Sequence, residues 1–452
     1  MNKQLKTKEY VYLSSMLFGL FFGAGNLIFP GLMGQMAGSK VGAATLGFVI
    51  TACGLPLLGI AAIGLSRSEG LFELGCKVSR KYSMFFTVLL YLTIGPFFAI
   101  PRTATVSYSV GIVPIAGDSH TAILIFSLAF FAVAMWFSLR PSKILTWVGK
   151  VLNPIFLVFL AILLVAAFMH PMGHISDAAP VGKYAANSFF SGFLEGYNTM
   201  DALASLAFGI IVIDAVRNLG VNDPKEVAKS TVFAGIFSAL AMAVIYFALA
   251  TAGAQSRGGF EVFPDGGMFL NRLSDHYLGS VGAAVMAITI TVACLKTSIG
   301  LITACSTTFG EIFPNKMSYN KWVVLFTLVS FGFANFGLGN IIAYSIPVLM
   351  FLYPLTIVII LLSIFGSSFG YDRRVYSWTL GFTMVPAIFD GLKTLPAAAV
   401  SALHLSGVNA FAASVLPFSS IGMSWIVPAL IGLVIGLFIR GKNKNEIKGE
   451  AA

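Results

Sequence analysis

Long apolar runs separated by short polar connections dominate the chain, and most charged residues lie between the runs. Runs of about 18 or more apolar residues are typical of transmembrane helices. The pattern predicts twelve spans, which begin near Tyr10, Val41, Ser83, His120, Lys143, Phe189, Lys225, Leu278, Lys321, Asn340, Tyr376 and Phe418. The longest connections are expected at residues 66–82, 171–188, 254–277 and 392–413.

Two of these apolar segments contain runs that a continuous membrane helix does not favour. The first segment contains Gly23-Ala24-Gly25-Asn26, and the sixth contains Glu195-Gly196-Tyr197-Asn198-Thr199-Met200-Asp201. Non-helical backbone is tolerated at membrane depth only where it is buried in protein or lines a water-filled cavity. Interrupted helices at corresponding positions of two halves are typical of the binding site of a secondary transporter.

Two further pairs of segments support an internal repeat. Arg102-Thr103 and Lys296-Thr297 lie in spans 3 and 8, while Asn153-Pro154 and Ile346-Pro347 lie in spans 5 and 10. An offset of five spans gives the second repeat inverted topology, because five is odd. We therefore predict a first repeat at 1–169 (spans 1–5), an extracellular loop at 170–188, a second repeat at 189–367 (spans 6–10), and spans 11–12 with a cytoplasmic tail at 368–452.

Composition and charge exclude an ordinary soluble domain. Apolar residues make up 57% of the chain and charged residues 10%, whereas soluble domains carry about 25% charged residues. On the side of the N-terminus lie 21 of the 28 lysines and arginines, and five lie on the other side. This asymmetry predicts that both termini are cytoplasmic. The net charge of +10 is then a property of these loops and does not indicate a nucleic-acid partner.

The N-terminal lysines before an apolar run resemble a signal peptide. The run is about twice the length of a typical signal core and is rich in glycine,. We expect it to be an uncleaved first span in contact with membrane lipid.

Span 8 carries the clearest local candidate for chemistry. Cys294, Thr297 and Ser298 are spaced i, i+3 and i+4, which places them on one helical face,. Two hydroxyls and a carbonyl freed by Thr or Ser back-bonding suit a hard cation. Hydrogen bonding between helices is the alternative. With span 1 broken, we favour a sodium site shared between spans 1 and 8.

Close helix packing is the alternative explanation of the glycines in span 1, because Gly19 and Gly23 form a small-xxx-small pair,. That explanation requires neither Gly25 nor Asn26. The four cysteines show no metal-site or disulfide spacing,, and no cofactor is expected.

Four charged residues lie within predicted spans: Arg102, Lys296, Glu195 and Asp201. An ionisable group at membrane depth is costly unless it is paired or hydrated. We expect Lys296 to pair with Glu195 or Asp201, and proton coupling through Lys296 is the alternative. The sequence assigns no role to Arg102 and does not order the two carboxylates by depth.

The run GLFFGAGNLIFPGLMGQMAG from Gly19 to Gly38 resembles the opening of the bacterial branched-chain amino acid:cation symporter family. The resemblance extends over all twelve spans, and includes PRTATVS from Pro101 and CLKTSIGLITACS from Cys294. It implies the amino acid–polyamine–organocation superfamily, about twelve helices with a five-plus-five inverted repeat, and a multi-pass protein of the bacterial inner membrane. It also implies uptake of leucine, isoleucine and valine, driven by sodium or by protons.

The resemblance also implies site residues. The sodium-symporter pattern places sodium at the carbonyls of Gly19 and Phe22 and at a span-8 set that matches Cys294, Thr297 and Ser298, with cysteine in place of alanine. Asn26 matches the asparagine of the broken helix, and Thr199 the polar residue of span 6. A second cation or coupling site would involve Asn26, Thr199 and Lys296. Related symporters carry an arginine gate before Phe-Pro, where this chain has Ile28 before Phe29.

The favoured hypothesis is a secondary carrier that works by alternating access. Its substrate carboxylate lies on the amides around Ala24, Gly25 and Asn26, and its ammonium lies near Tyr197, Asn198 and Thr199. Proton-coupled symport is the first alternative. A pump is disfavoured because the chain lacks a phosphate-binding Walker motif. A membrane-embedded enzyme would need a nucleophile with a base or a metal cluster, neither of which the sequence suggests, and a channel fits a single twelve-span chain less well.

Overall fold

The computed structural model describes residues 5–66, 68, 70–140, 144–221 and 223–449, and none of these residues lies in a β-strand. The first ten helices are α1 (Thr7–Phe21), α2 (Ala24–Ala37), α3 (Val41–Val49), α4 (Leu55–Leu65), α5 (Leu71–Cys76), α6 (Arg80–Leu92), α7 (Ala99–Gly111), α8 (Val113–Ala116), α9 (His120–Ser138) and α10 (Ile144–Met169). The remaining ten are α11 (Lys183–Glu195), α12 (Asp201–Asn218), α13 (Pro224–Ser256), α14 (Gly266–Ile312), α15 (Tyr319–Ala334), α16 (Leu338–Ile364), α17 (Arg373–Lys393), α18 (Ala397–Ala402), α19 (Ser406–Val415) and α20 (Ile426–Gly449).

Within these residues the helices form twelve segments that follow the predicted spans, because α1–α2, α3–α4, α6–α7 and α11–α12 each make one segment and the short helices α5, α8, α18 and α19 lie between segments. Six helical stretches are long and apolar enough to cross a membrane: Gly25–Leu65, Arg80–Ile115, His120–Ser138, Glu226–Ser256, Gly266–Ile312 and Leu338–Ile364. Lys3, Arg67 and Lys143 lie outside the described residues, as do the side chains of Asn153 and Pro154.

All four expected connections turn out to be partly helical, and the first of them contains α5. Helix α11 begins at Lys183, α18 and α19 lie before the last span, and α14 begins at Gly266. The Asp265 carboxylate caps α14 by accepting from the amides of Gly267 and Met268 at 2.8 and 2.9 Å, and the chain then bends at Gly279, whose φ is 67°. The last span begins at Ile426 and not near Phe418, because turns at 418–425 precede it.

Close contact between α2 and α13 fixes the position of the first break. A Cβ atom added to Gly34 would lie 1.9 Å from the carbonyl oxygen of Ala250, and one added to Gly253 would lie 2.1 Å from that of Gly31. Only glycine permits backbones to approach so closely. One turn before Ala250, Tyr246 is therefore held next to Asn26 of α2.

The first break comprises Phe22 and Gly23, which have extended backbone angles between α1 and α2. It is narrower than the predicted interruption at Gly23 to Asn26, since Gly25 and Asn26 already belong to the first turn of α2. The reason is a cap: Asn26 Oδ1 accepts from the amide of Gly23 at 3.2 Å. Asn26 is the third residue of α2, and by accepting from the amide that precedes the helix it shortens the unwound stretch,.

The second break runs from Gly196 to Met200. Gly196–Thr199 form a 3-10 turn after α11, and Met200 adopts a left-handed conformation with φ 62° before α12 begins. A left-handed methionine is unfavourable by about 1–2 kcal/mol, so the surrounding structure must hold it there. The interruption of span 6 thus falls where the sequence predicted it. The inverted repeat stays a prediction.

Candidate functional site

The two broken helices meet at a buried carboxylate. Asn26 of α2 donates its side-chain amide to Asp201 Oδ2 at 2.6 Å and also to the hydroxyl of Tyr246. All three side chains are at most 4% exposed. Asp201 is the first residue of α12, so its carboxylate also lies at the amide end of that helix, where negative charge is favoured,. One polar cluster therefore joins both breaks to α13.

Arg102 of α7 lies between the same two breaks. Its Nη1 donates to the carbonyl oxygen of Asn198 in the second break at 2.6 Å. Its guanidinium carbon lies 5.2 Å from the centroid of the Phe29 ring. A Cβ atom added to Gly25 would lie 3.2 Å from Nη2. A buried cation thus contacts the half-helix that follows the first break and the turn that forms the second.

The predicted span-6 residues each make a local contact in the structure. Thr199 donates its hydroxyl to the carbonyl of Gly196 at 2.9 Å, and the Asn198 amide donates to Glu195 Oε1 at 3.0 Å. The Tyr197 ring stacks on Tyr353 with centroids 3.9 Å apart. The carbonyl of Asn198 faces Arg102 and its side chain does not.

A cavity of about 380 Å³ lies against the second break, between α11, α16, α17 and the turns before α20. Tyr197 and Asn198 belong to its wall, together with Lys183, Asp390 and Lys393. Glu195 accepts from Lys183 at 2.7 Å as well as from Asn198. An ion pair at the cavity is therefore connected through Asn198 to Arg102.

The predicted sodium residues of span 8 lie near the first break. A Cβ atom added to Gly23 would lie 3.7 Å from the Thr297 methyl group. Thr297 donates its hydroxyl to the carbonyl of Ala293 at 3.1 Å, which is the back-bonding expected from the sequence. The Ser298 hydroxyl is fully buried and has no partner among the described residues. Cys294 is buried near Ser107 and Arg102 of α7.

The expected pairing of Lys296 with Glu195 or Asp201 is wrong. Lys296 Nζ lies 3.4 Å from the carbonyl oxygen of Gly19, a predicted sodium ligand. Glu195 instead pairs with Lys183, and Asp201 accepts from Asn26. The physical reason is the carbonyl end of α1, which attracts cations and lies within reach of a long lysine side chain.

Ile28 occupies the position before Phe29 where related symporters carry an arginine. A Cβ atom added to Gly266 would lie 2.1 Å from the Ile28 carbonyl, so this position packs tightly against the start of α14. Tyr246 and Tyr353 are the site residues that sequence reasoning missed. Tyr246 lies 220 positions from Asn26, and no local pattern marks it.

Comparison with known proteins identifies the family. Residues 6–443 match the family described as "Branched-chain amino acid transport protein". The chain is 48% identical over 444 residues to the branched-chain amino acid permease BrnQ of Lactobacillus delbrueckii subsp. lactis, covering 98% of each chain. It is 43% identical to the permease BraB of Bacillus subtilis (strain 168), covering 99% of this chain and 100% of that one. These names describe transporters and not enzymes.

Two solved structures share the fold. An inward-facing conformation of Mhp1 matches with a TM-score of 0.61 at 14% identity, covering 96% of this chain and 91% of that chain. MhsT in complex with L-phenylalanine matches with a TM-score of 0.57 at 15% identity, covering 97% and 99%. Both are LeuT-fold transporters, which confirms the predicted all-α polytopic fold. From the match over nearly its whole length, the chain belongs to the family of branched-chain amino acid transport proteins.

Proposed function

We propose that this protein is a secondary carrier that imports leucine, isoleucine and valine across the bacterial inner membrane by symport with sodium. The observation that carries the proposal is the 2.6 Å bond between Asn26 and Asp201, which joins the two broken helices in a buried place. The names of the relatives, which are permeases of branched-chain amino acids, give the substrate class. The placement within the wider amino acid–polyamine–organocation superfamily belongs to the same proposal.

The substrate carboxylate lies on the free amides at the start of α2, at Ala24, Gly25 and Asn26, because the first amides of a helix have no acceptor within it. The substrate ammonium lies near the turn formed by Tyr197, Asn198 and Thr199, whose carbonyls and polar side chains suit a cation. An apolar pocket distinguishes side chains that differ by one methylene by only about 1–3 kcal/mol. Overlapping recognition of the three branched substrates follows.

Sodium lies between spans 1 and 8 in this proposal, held by the carbonyls of Gly19 and Phe22 and by Cys294, Thr297 and Ser298. The Ser298 hydroxyl, which has no partner in the described part of the chain, supports it, because a buried hydroxyl without an acceptor or donor costs about 1–3 kcal/mol,. Binding of sodium there favours the substrate-ready state, and the substrate favours sodium binding equally. A second cation or coupling site would involve Asn26, Thr199 and Lys296, of which Asn26 contacts the Asp201 carboxylate.

Proton coupling is a second candidate, and the position of Lys296 favours it. Its ammonium lies at the Gly19 carbonyl, where the first candidate places sodium. A lysine that gains and loses a proton there would alternately bind and release the carbonyl end of α1. The charge distribution of the loops supports cytoplasmic termini in either case,.

Uptake of labelled leucine into proteoliposomes tests the function. Sodium and proton gradients are imposed in turn. We expect the sodium gradient to drive accumulation of leucine. Accumulation that persists after ionophores have dissipated both gradients would contradict symport. Leucine loaded inside should accelerate entry of labelled leucine, since counterflow is a property of a carrier and not of a channel.

The coupling ion is tested by Ser298→Ala, Thr297→Ala and Lys296→Gln. We expect the two hydroxyl variants to raise the sodium concentration needed for half-maximal uptake by about 10-fold, as the loss of one cation ligand implies. Unchanged sodium dependence in both would remove the sodium site. Loss of gradient-driven uptake only in Lys296→Gln, with counterflow retained, would establish the proton candidate instead.

A further inference from the structure

Arg102 is a buried cation that has no carboxylate partner among the residues that the structure describes. Its side chain is 4% exposed, and none of the carboxylates that the structure describes lies within the 4.0 Å of an ion pair. Its one hydrogen bond to the described residues runs from Nη1 to the carbonyl of Asn198. A guanidinium carries five donors, so most of its hydrogen-bonding capacity is unused.

The unused side of the guanidinium faces the start of α2. Nη2 lies 3.2 Å from the place where a Cβ atom of Gly25 would stand. The Phe29 ring, one turn further along α2, packs against the same guanidinium at 5.2 Å. Because α2 has 14 residues, its first amides form a substantial positive helix end. Two positive groups therefore converge on one buried place.

Such an arrangement requires an anion. A charge at membrane depth is costly unless it is compensated. Asp201 interacts with Arg102 electrostatically, but it lies beyond ion-pair distance and one of its oxygens already accepts from Asn26. The missing anion must carry one charge and present two oxygens in a plane, because a guanidinium fork binds that geometry best.

We propose that Arg102 binds the carboxylate of the transported amino acid, together with the amides at the start of α2. This assignment rests on the proposed function and adds a residue from α7 to it. Gly25 then has a specific purpose: the absence of a side chain lets guanidinium, carboxylate and helix end meet. Arg102 is also what makes the site select amino acids over amines and alcohols of the same side chain.

Equilibrium binding by the purified full-length protein tests the assignment, with labelled leucine displaced by leucine or by leucinol, which lacks the carboxylate. The wild-type protein should prefer leucine by about 100-fold or more, the scale of a charge-assisted hydrogen-bonded pair. In Arg102→Gln the preference should fall to about 10-fold or less, through weaker binding of leucine alone. Arg140→Gln is the matched control, because Arg140 also lies over an aromatic ring, Trp136 at 4.2 Å, but is exposed.

Several outcomes would overturn the assignment. One is an Arg102→Gln protein that keeps the full preference for leucine over leucinol. Another is an equal loss of affinity for leucine and leucinol, which would mean that Arg102 only connects the two breaks structurally. If Arg102→Gln does not fold, Arg102→Lys tests the assignment, because lysine keeps the positive charge but lacks the planar pair of donors. Leucine affinity should then fall about 10-fold while leucinol affinity is unaffected. Unchanged leucine affinity would contradict the assignment. Failure of the wild-type protein to bind leucine at all would refute the proposed function itself.

Discussion

The two breaks interrupt their helices at membrane depth in structurally different ways. The first consists of two extended residues, Phe22 and Gly23, and depends on small residues that let other groups approach. The second is a 3-10 turn that ends in a left-handed Met200, and the Thr199 side chain donates a hydrogen bond to a backbone carbonyl of the same turn. At the first break the missing side chain of Gly25 leaves room for Arg102, while hydrogen bonds hold the second break.

This difference indicates a division of roles. The first break leaves helix amides available near Gly25, which suits an anion. The second presents the carbonyl of Asn198, which Arg102 already uses, and a carboxylate at Asp201. An amino acid has both charges, so a site between an amide-rich break and an oxygen-rich break matches it. The predictions below test whether the two breaks act as one site.

The largest effect is expected from Asp201→Ala. It removes the acceptor of the Asn26 amide and the only carboxylate at the meeting point that the structure describes. A hydrogen bond to a charged group contributes about 1.5–3 kcal/mol, so leucine affinity should fall by about 10- to 150-fold. Asp201→Asn keeps an acceptor oxygen for the Asn26 amide, so its leucine affinity should fall clearly less than that of Asp201→Ala. Equal losses in both variants, measured by equilibrium binding, would mean that the Asn26 contact is unimportant.

A smaller effect is expected at Gly25. A methyl group there would lie 3.2 Å from both Arg102 and Phe29, so Gly25→Ala should weaken leucine binding by about 10-fold through overpacking of about 1–3 kcal/mol,. Gly23→Ala is the matched control, because its methyl group would meet Thr297 at an ordinary 3.7 Å and its φ of −118° suits alanine. A larger loss in Gly23→Ala than in Gly25→Ala would refute this account of the first break.

The smallest effect is expected at the cavity beside the second break. Lys183 is about half exposed, and exposed ion pairs contribute about 0–1 kcal/mol. Initial uptake rates in Lys183→Gln should therefore stay within about fivefold of wild type. Glu195→Ala should be slower than Lys183→Gln, since it also removes the acceptor of the Asn198 amide. The reverse order would contradict this account, because it would give Lys183 a role in transport beyond its ion pair with Glu195.

The sequence predicted features that depend on local chemistry. Apolar runs located the spans, and the glycines and the polar run in spans 1 and 6 located both breaks to within a few residues. The span-8 face was also local, and its threonine makes the expected back-bond. Each of these signals comes from residues that are close in the sequence, and helix geometry fixes the relative positions of such residues.

Features that depend on contacts between distant segments were not predictable. Nothing near Lys296 indicates that the carbonyl end of α1 lies within its reach, and the expected carboxylate partner was wrong for that reason. Tyr246 reaches Asn26 only because Gly34 and Gly253 allow α2 and α13 to touch. Asp265 starts α14 earlier than hydrophobicity suggests, because capping depends on a side-chain position and not on apolar content.

The measurement that tests the central claim most directly is a double-mutant cycle for leucine binding with Asn26→Ala, Asp201→Ala and the double variant. If the two breaks form one site through this contact, the double variant should bind leucine about as well as the weaker single variant, with a coupling free energy of about 1 kcal/mol or more. Losses that simply add would contradict the account, because they would show that the two breaks act independently.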